Sequence, residues 1–207
     1  MSHTGLFITL EGVDGCGKST QADLLVQELE AMGREVVRMR DPGGTRLSEK
    51  IRLLVLDPGN AEMCDECELL LYEAARAQLV REVIIPTLER GATVVCDRYY
   101  DSTYAYQACA RGLSEQMVTV ANELGSCGVK PDVTLVFDLS PQEALRRATA
   151  ERTDRLEGEG TGFQERVREG YLLLARQEPE RVRMIDAVGS VEIVRARMLS
   201  ALRDFLK

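Results

Sequence analysis

Lys18 and Ser19 close a run, Gly12-Val13-Asp14-Gly15-Cys16-Gly17-Lys18-Ser19-Thr20, that fits the pattern G-x-x-x-x-G-K-S/T without a gap. Its glycines let the backbone turn tightly and aim successive N–H groups at the oxygens of an anion. The lysine brings a positive charge to outer phosphates, and the serine hydroxyl is a hard oxygen ligand for Mg²⁺. The chemistry of such a set is the holding of a nucleoside triphosphate. Every residue from Gly12 to Thr20 is a candidate contact, and Cys16, set among N–H groups beside Lys18, is expected to have a lowered thiol pKa and to be alkylated unless ATP protects it.

A second set, Asp97-Arg98, ends the apolar stretch Ala92-Thr93-Val94-Val95-Cys96. Asp97 is a candidate partner of Ser19 for the metal. Asp138 also ends an apolar stretch and is its rival, although a turn or helix cap before Ser140-Pro141 explains it better. Arg98, beside that acid, suits a bridge between donor and acceptor phosphates better than a surface ion pair. Arg146, Arg147, Arg152 and Arg155 surround the polar, glycine-bearing segment 153–162. An arginine inserted at a migrating phosphoryl group is worth ~10³–10⁵ in rate, so this stretch is the candidate closing lid. From spacing alone, Arg40, Arg52 and Arg76 carry no comparable signal.

The elements that must position these groups alternate. Leu6 to Leu10, Glu35 to Met39, Ala92 to Cys96, Asp132 to Leu139 and Val182 to Ile185 read as buried strands. Between them, apolar stripes predict helices after Lys18, over Arg46–Leu56 (Arg52 on its exposed side), Cys67–Glu89, Ser102–Leu124 with a break near Gly112, Pro141–Arg147, Phe163–Glu178 and Val191–Leu206. Pro86 is expected to kink the end of the third of these. Alternating β and α implies a parallel sheet covered on both faces, with its ligand site at the carboxyl ends of the strands. The segment after Ile185-Asp186-Ala187 is the expected wall of an adenine pocket.

Composition narrows the function classes. The 207 residues suit one α/β domain, and 44% hydrophobic with 29% charged residues is ordinary for a globular chain. A net charge of −8 argues against nucleic-acid or anionic-membrane binding. No apolar run approaches a membrane span, and the first strand begins within a few residues of the N-terminus, which points to the cytoplasm. Six scattered cysteines include a lone Cys64-x-x-Cys67, a poor zinc or redox motif. The single histidine, His3, excludes histidine triads.

With these residues in place, the sequence resembles the thymidylate kinases over nearly its whole length. Phe7-Ile8-Thr9-Leu10-Glu11-Gly12-Val13-Asp14-Gly15 carries the resemblance, as does Arg40-Asp41-Pro42-Gly43-Gly44-Thr45, similar to the family's R-E-P-G-G-T with Asp in place of Glu. So does Asp97-Arg98-Tyr99-Tyr100-Asp101-Ser102, similar to D-R-Y/H-x-x-S. The resemblance implies ATP- and Mg²⁺-dependent phosphorylation of dTMP to dTDP on a P-loop nucleoside-monophosphate-kinase-like, three-layer α/β fold. It implies a five-stranded parallel sheet in the order 2-3-1-4-5, a single domain over 1–207 with a lid at about 146–162, and a homodimer formed by the Cys67–Glu89 helix and the helix after Asp97. Position by position it implies that Asp14 lies near the acceptor, that Arg52 and Arg98 grip its phosphate, and that Arg76 bonds the thymine ring. Tyr72 stands where a stacking Phe is usual, and Ser102, Thr103, Tyr106 and Gln107 read the base edge and crowd the 2′ position. Gly15-Cys16 is neutral, so the catalytic cation is expected from the lid, from Arg147, Arg152 or Arg155 and chiefly the last two.

Other readings are a kinase for another deoxynucleoside or nucleoside monophosphate, with Glu11 as base were the acceptor a hydroxyl, and a GTP-hydrolysing switch. The switch reading lacks an N-K-x-D element, since Val129-Lys130-Pro131-Asp132 supplies only K-x-D.

Overall fold

The computed structural model describes residues 4–147 and 155–206. Five strands, β1 (Phe7–Glu11), β2 (Val36–Arg40), β3 (Thr93–Asp97), β4 (Val133–Asp138) and β5 (Val182–Asp186), form one parallel sheet in the order β2-β3-β1-β4-β5. The expected order and alternation are therefore found. β1, with no exposed residue, lies at the centre; β2 is a half-exposed edge.

Four of the strands run one residue further than the apolar pattern predicts, ending on Glu11, Arg40, Asp97 and Asp186. Apolar patterning reports which side chains are buried, whereas the ladder needs only backbone groups. Register then sets the charges side by side: Leu10 pairs with Asp97, Asp97 with Arg40, and Asp138 with Asp186. One edge of the sheet becomes a row of ionisable groups.

Nine helices flank the sheet among the described residues. They are α1 (Lys18–Ala31), α2 (Arg46–Leu56), α3 (Asp65–Leu79), α4 (Ile85–Glu89), α5 (Tyr100–Thr103), α6 (Glu115–Gly125), α7 (Pro141–Arg147), α8 (Thr161–Gln177) and α9 (Val191–Ala201). α2 begins on a Thr45 side-chain cap that accepts the Ser48 N–H. Val80–Ile84 winds as a wide π turn between α3 and α4, just ahead of Pro86. Proline has no N–H for an i→i−4 bond, so re-spacing the ladder before it lets the helix run on. The kink expected at Pro86 is thus a change of winding upstream.

A second π segment, Tyr104–Ala110, follows α5 and carries Tyr106 and Gln107. α8 lies directly on it: a Cβ on Gly170 would stand 2.9 Å from the Ala105 Cα. Only glycine allows that approach. α5 is anchored from beneath, where Arg181 donates to both oxygens of buried Asp101 (2.6 and 2.8 Å) and the Thr134 hydroxyl donates to the same carboxylate (2.8 Å). A bidentate pair of this kind fixes orientation as well as position, and it sets the neighbours Ser102 and Thr103 at the mouth of the sheet. No helix among the described residues is long and apolar enough to cross a membrane.

Candidate active site

β1 delivers the glycine loop and α1 starts at Lys18, with Gly17 in the left-handed region at its N-cap. Gly15 (φ 81°) turns back against α7, where a Cβ would lie 2.3 Å from the Ala144 carbonyl oxygen. The loop is therefore clamped between sheet and α7. Lys18 Nζ donates to the Val13 carbonyl oxygen (3.2 Å) and lies 3.9 Å from the Asp14 carboxylate. Ser19 Oγ donates to Asp97 Oδ2 at 2.7 Å. Two hard oxygens so placed fit Mg²⁺, which keeps several waters or substrate oxygens and needs few protein ligands. Asp138, the rival acid, is engaged elsewhere, by Arg168 Nε and Nη2 at 2.6 and 2.9 Å, whereas Asp97 is the one that meets Ser19.

A cleft of about 490 Å³ opens over the loop, lined by Asp14, Gly15, Cys16, Gly17, Lys18, Ser19 and Thr20 with Arg147, Ala187, Gly189 and Val191. The segment after Asp186, expected beside an adenine, supplies Ala187, Gly189 and Val191 to this lining. Gly12 and Val13 do not line this cleft; Val13 is core.

A second cleft, about 160 Å³, opens beside the first and shares Asp14 with it. Asp14, Arg52, Tyr72, Arg76, Arg98, Ser102, Thr103, Tyr106 and Gln107 all line it, so every residue expected on the acceptor side is brought to one place. Arg52 is half-buried and faces this cleft, its Nη1 on the Pro42 carbonyl oxygen (2.9 Å), rather than lying on the exposed side of α2. The chain wraps α2 against α3, and the arginine is turned into the seam.

Arg98 is the hinge between the clefts. Its backbone is left-handed (φ 68°), an uncommon conformation for a side-chain-bearing residue, with its N–H on the Leu10 carbonyl oxygen (2.9 Å). That turn sends Asp97 to Ser19 and Arg98 to the other side. Its guanidinium donates to Asp14 (2.5 Å), Tyr106 (3.1 Å), Ser102 (3.1 Å) and Tyr171 (3.1 Å). Burial works to raise the Asp14 pKa, but Arg98 and then Lys18 outweigh it and hold the carboxyl at about 2. Glu11, fully buried below, accepts from the Tyr99 N–H (2.7 Å), Ser102 (2.6 Å) and Tyr171 (2.8 Å). Burial pushes its carboxyl up to about 7, with Arg98 offsetting part of the effect.

Arg76, 1% exposed, forms the far wall. Four of its five N–H groups go to Asp41, Glu73, Asn122 and Thr103. Burial raises the pKa of both Asp41 and Glu73, and Arg76 holds them down in part.

The structure departs from expectation at Cys16 and at Arg155. Cys16 is buried, and desolvation raises its thiol pKa despite Lys18; the loop packs the sulfur against Gly12 instead of exposing it. Arg155 is not at the phosphate loop. Its Nη2 donates to the buried Glu68, its Nε to the Val55 carbonyl oxygen (3.1 Å), and its N–H to the Leu56 carbonyl oxygen (3.2 Å), so a buried carboxylate holds it beside the second cleft. Arg152 lies outside the described residues, as does the whole stretch 148–154. Arg147, bonded to the Ala187 carbonyl oxygen (3.0 Å), is the described lid-side cation on the first cleft. Among contributors the sequence did not single out, Leu156 and Asp41 line the second cleft, and Tyr171 braces Arg98. Tyr171 falls in the apolar stripe of α8, where nothing in the sequence separates it from a core aromatic.

Comparison with known proteins agrees with this geometry. A family profile described as Thymidylate kinase matches residues 10–198. A thymidylate kinase of Desulfosudis oleivorans is 51% identical over 205 residues, covering 95% of this chain and 96% of its own. One from Caldanaerobacter subterraneus subsp. tengcongensis is 44% identical, covering 98% and 97%. The crystal structure of thymidylate kinase from Ehrlichia chaffeensis superposes with a TM-score of 0.78 at 31% identity, covering 96% of this chain and 98% of that one.

Proposed function

The chain belongs to the thymidylate kinase family, and we propose that it transfers the γ-phosphoryl group of ATP to dTMP, giving dTDP, with Mg²⁺ as cofactor. The observation that carries the reading is the split at β3: neighbouring residues Asp97 and Arg98 reach, respectively, Ser19 in the loop cleft and Asp14 at the edge of the second cleft. One backbone turn thus ties donor to acceptor.

In this reading Lys18 and the N–H groups of the loop hold the outer phosphates of ATP. Ser19 and Asp97 hold Mg²⁺, which supplies charge neutralisation at the donor phosphates when bound. Arg98 and Arg52 grip the dTMP phosphate, Tyr72 stacks on the base, and Arg76 bonds it. Ser102, Thr103, Tyr106 and Gln107 complete the wall that favours a deoxyribose. The acceptor is already an anionic phosphate, so no strong general base is needed, which agrees with a site without histidine. Residues 146–162 act as the lid, and the cation for the migrating group comes from its donor side, from Arg152 and Arg147. In this reading the enzyme works in the cytoplasm.

A homodimer completes the reading. α3 packs against both α2 and α6, and Leu53, Leu70 and Leu124 on these helices are 74%, 64% and 76% exposed, apolar surface that a second copy would cover. Sedimentation would report a dimer, and Leu124→Glu a monomer.

The decisive measurement is ADP release with dTMP, other nucleoside monophosphates and thymidine as acceptors. Acceleration by dTMP above the rest is expected. Equal rates with thymidine would point to a nucleoside kinase using Glu11 as its base.

A further inference from the structure

Glu68 on α3 lies outside the second cleft yet touches Gln107, which lines it, and two arginines behind it. It is buried completely. Gln107 Nε2 donates to its Oε1 at 2.7 Å, Arg111 donates to both oxygens (3.2 and 3.1 Å), and Arg155 donates to Oε2. Burial works against its charge, but the bonds from Arg111, Gln107 and Arg155 hold its pKa below the usual carboxylate value. An ionised carboxylate only accepts hydrogen bonds. The amide of Gln107 must therefore turn its NH₂ to Glu68, and this settles a choice of orientation that a glutamine on its own leaves open. Gln107 is 2% exposed and lines the cleft.

We propose that Glu68 is a positioning residue for specificity: by engaging the NH₂ of Gln107 it makes the cleft present a carbonyl oxygen, which selects an acceptor base with a ring N–H. The inference deepens the dTMP reading and rests on it. Thymine offers such a donor at N3. Cytosine has a lone pair there, which faces the carbonyl oxygen in repulsion, so the site rejects it without a steric clash. Arg155 and Arg111 supply the charge that keeps the acceptor ionised, which ties the seated segment after residue 154 to base reading.

The test compares kcat/KM for dTMP and dCMP, with ATP saturating, in the wild type, Glu68→Gln and Glu68→Asp. In Glu68→Gln the partner can donate or accept, so the Gln107 amide is free to turn over and offer its NH₂ to cytosine. Glu68→Asp keeps the charge, and with it the fold, but withdraws the carboxylate by one methylene. In both, the dTMP:dCMP ratio is expected to fall by roughly tenfold or more, mainly through the two KM values. A merely structural role for Glu68 predicts the reverse: lost stability and an unchanged ratio. A ratio within twofold of wild type in either folded Glu68 variant overturns the proposal alone. A wild type that does not prefer dTMP to dCMP removes the substrate reading, and the proposal with it.

Discussion

The loop cleft and the acceptor cleft lie side by side and share Asp14, yet they are made of different material. The first is a contiguous backbone device: glycines pressed against α7, a helix N-terminus, and one lysine whose ammonium rests on a carbonyl oxygen. The second is gathered from the glycine loop, the 41–42 turn, α2, α3, the end of β3 and the helix after it, and is held by ion pairs, Arg76 with Asp41 and Glu73 buried from water and Arg98 with Asp14 half-buried. Side chains in the first are free to serve the ligand. Those in the second also hold the protein together. Activity and stability should therefore separate on one side and not on the other.

Lys18→Ala gives the largest effect and the cleanest separation. Removing the loop's own cation is expected to cut kcat/KM by ~10³-fold or more. Unfolding free energy should change by no more than about 1 kcal/mol, because the lost contacts are one carbonyl bond and an ion pair at 3.9 Å. A urea melt displaced by several kcal/mol would erase the distinction. Arg98→Ala should lose ~10³-fold in turnover with little change in ATP binding. Equal losses in both would contradict its acceptor-side role.

Arg76→Met probes the other side. Asp41 and Glu73 then lose their shared cation in a place where burial already raises both pKa values. A cost of about 3–5 kcal/mol is expected, smaller at low pH where the carboxyls take up protons. A loss below ~1 kcal/mol would mean that the acceptor wall is no more structural than the loop.

The same contrast decides what could be read from the chain. The loop was legible because its function lies in nine consecutive residues and in glycines whose spacing has few other uses. The sheet was legible for a similar reason, since apolar runs alternate with helical stripes. The acceptor cleft was legible only through resemblance to a family: spacing alone left Arg52 and Arg76 as ordinary surface arginines. What turns them inward, the packing of α2 on α3 and a buried acid at Asp41, depends on partners 10 to 35 residues away. The seat of Arg155 was not legible because a charge beside a glycine-rich segment does not announce a buried acceptor, Glu68, some 87 residues earlier. The π segment carrying Tyr106 and Gln107 left no mark either, because its apolar spacing passes for an α-helix.

Glu11 offers a smaller effect that falls between the clefts. Its folded pKa, about 7, stands above the ordinary 4.5, so the folded protein binds this proton more tightly than the unfolded chain. Stability from this group is thus present below pH 4.5 and lost progressively up to about pH 7. Glu11→Gln, an isosteric stand-in for the protonated acid, should flatten that slope. By pH 8 it should gain up to ~3 kcal/mol relative to wild type, read from urea melts at several pH values. A parallel pair of curves would mean that the carboxylate is already ionised across the window, held so by Ser102, Tyr171 and the Tyr99 N–H.

The smallest effect is expected at Cys16, where the loop's backbone construction is put to its own test. A cysteine beside a lysine at a helix start is a natural candidate for a reactive thiolate. Burial decides otherwise, because the sulfur is packed against Gly12, where a Cβ would come within 2.9 Å of it, and desolvation raises the thiol pKa. Iodoacetamide at neutral pH should therefore label exposed Cys64 and Cys67 well before Cys16, and activity should persist while those two are modified. Cys16→Ala, which removes only a sulfur from under the loop, should keep kcat/KM within about threefold, because phosphate is held there by N–H groups that every residue supplies. Peptide mapping over the time course separates the cases. Labelling of Cys16 in step with Cys64, matched by loss of activity that ATP prevents, would mean that the loop opens far more readily than its packing implies, and the loop would then belong with the lid rather than with the rigid floor of the site.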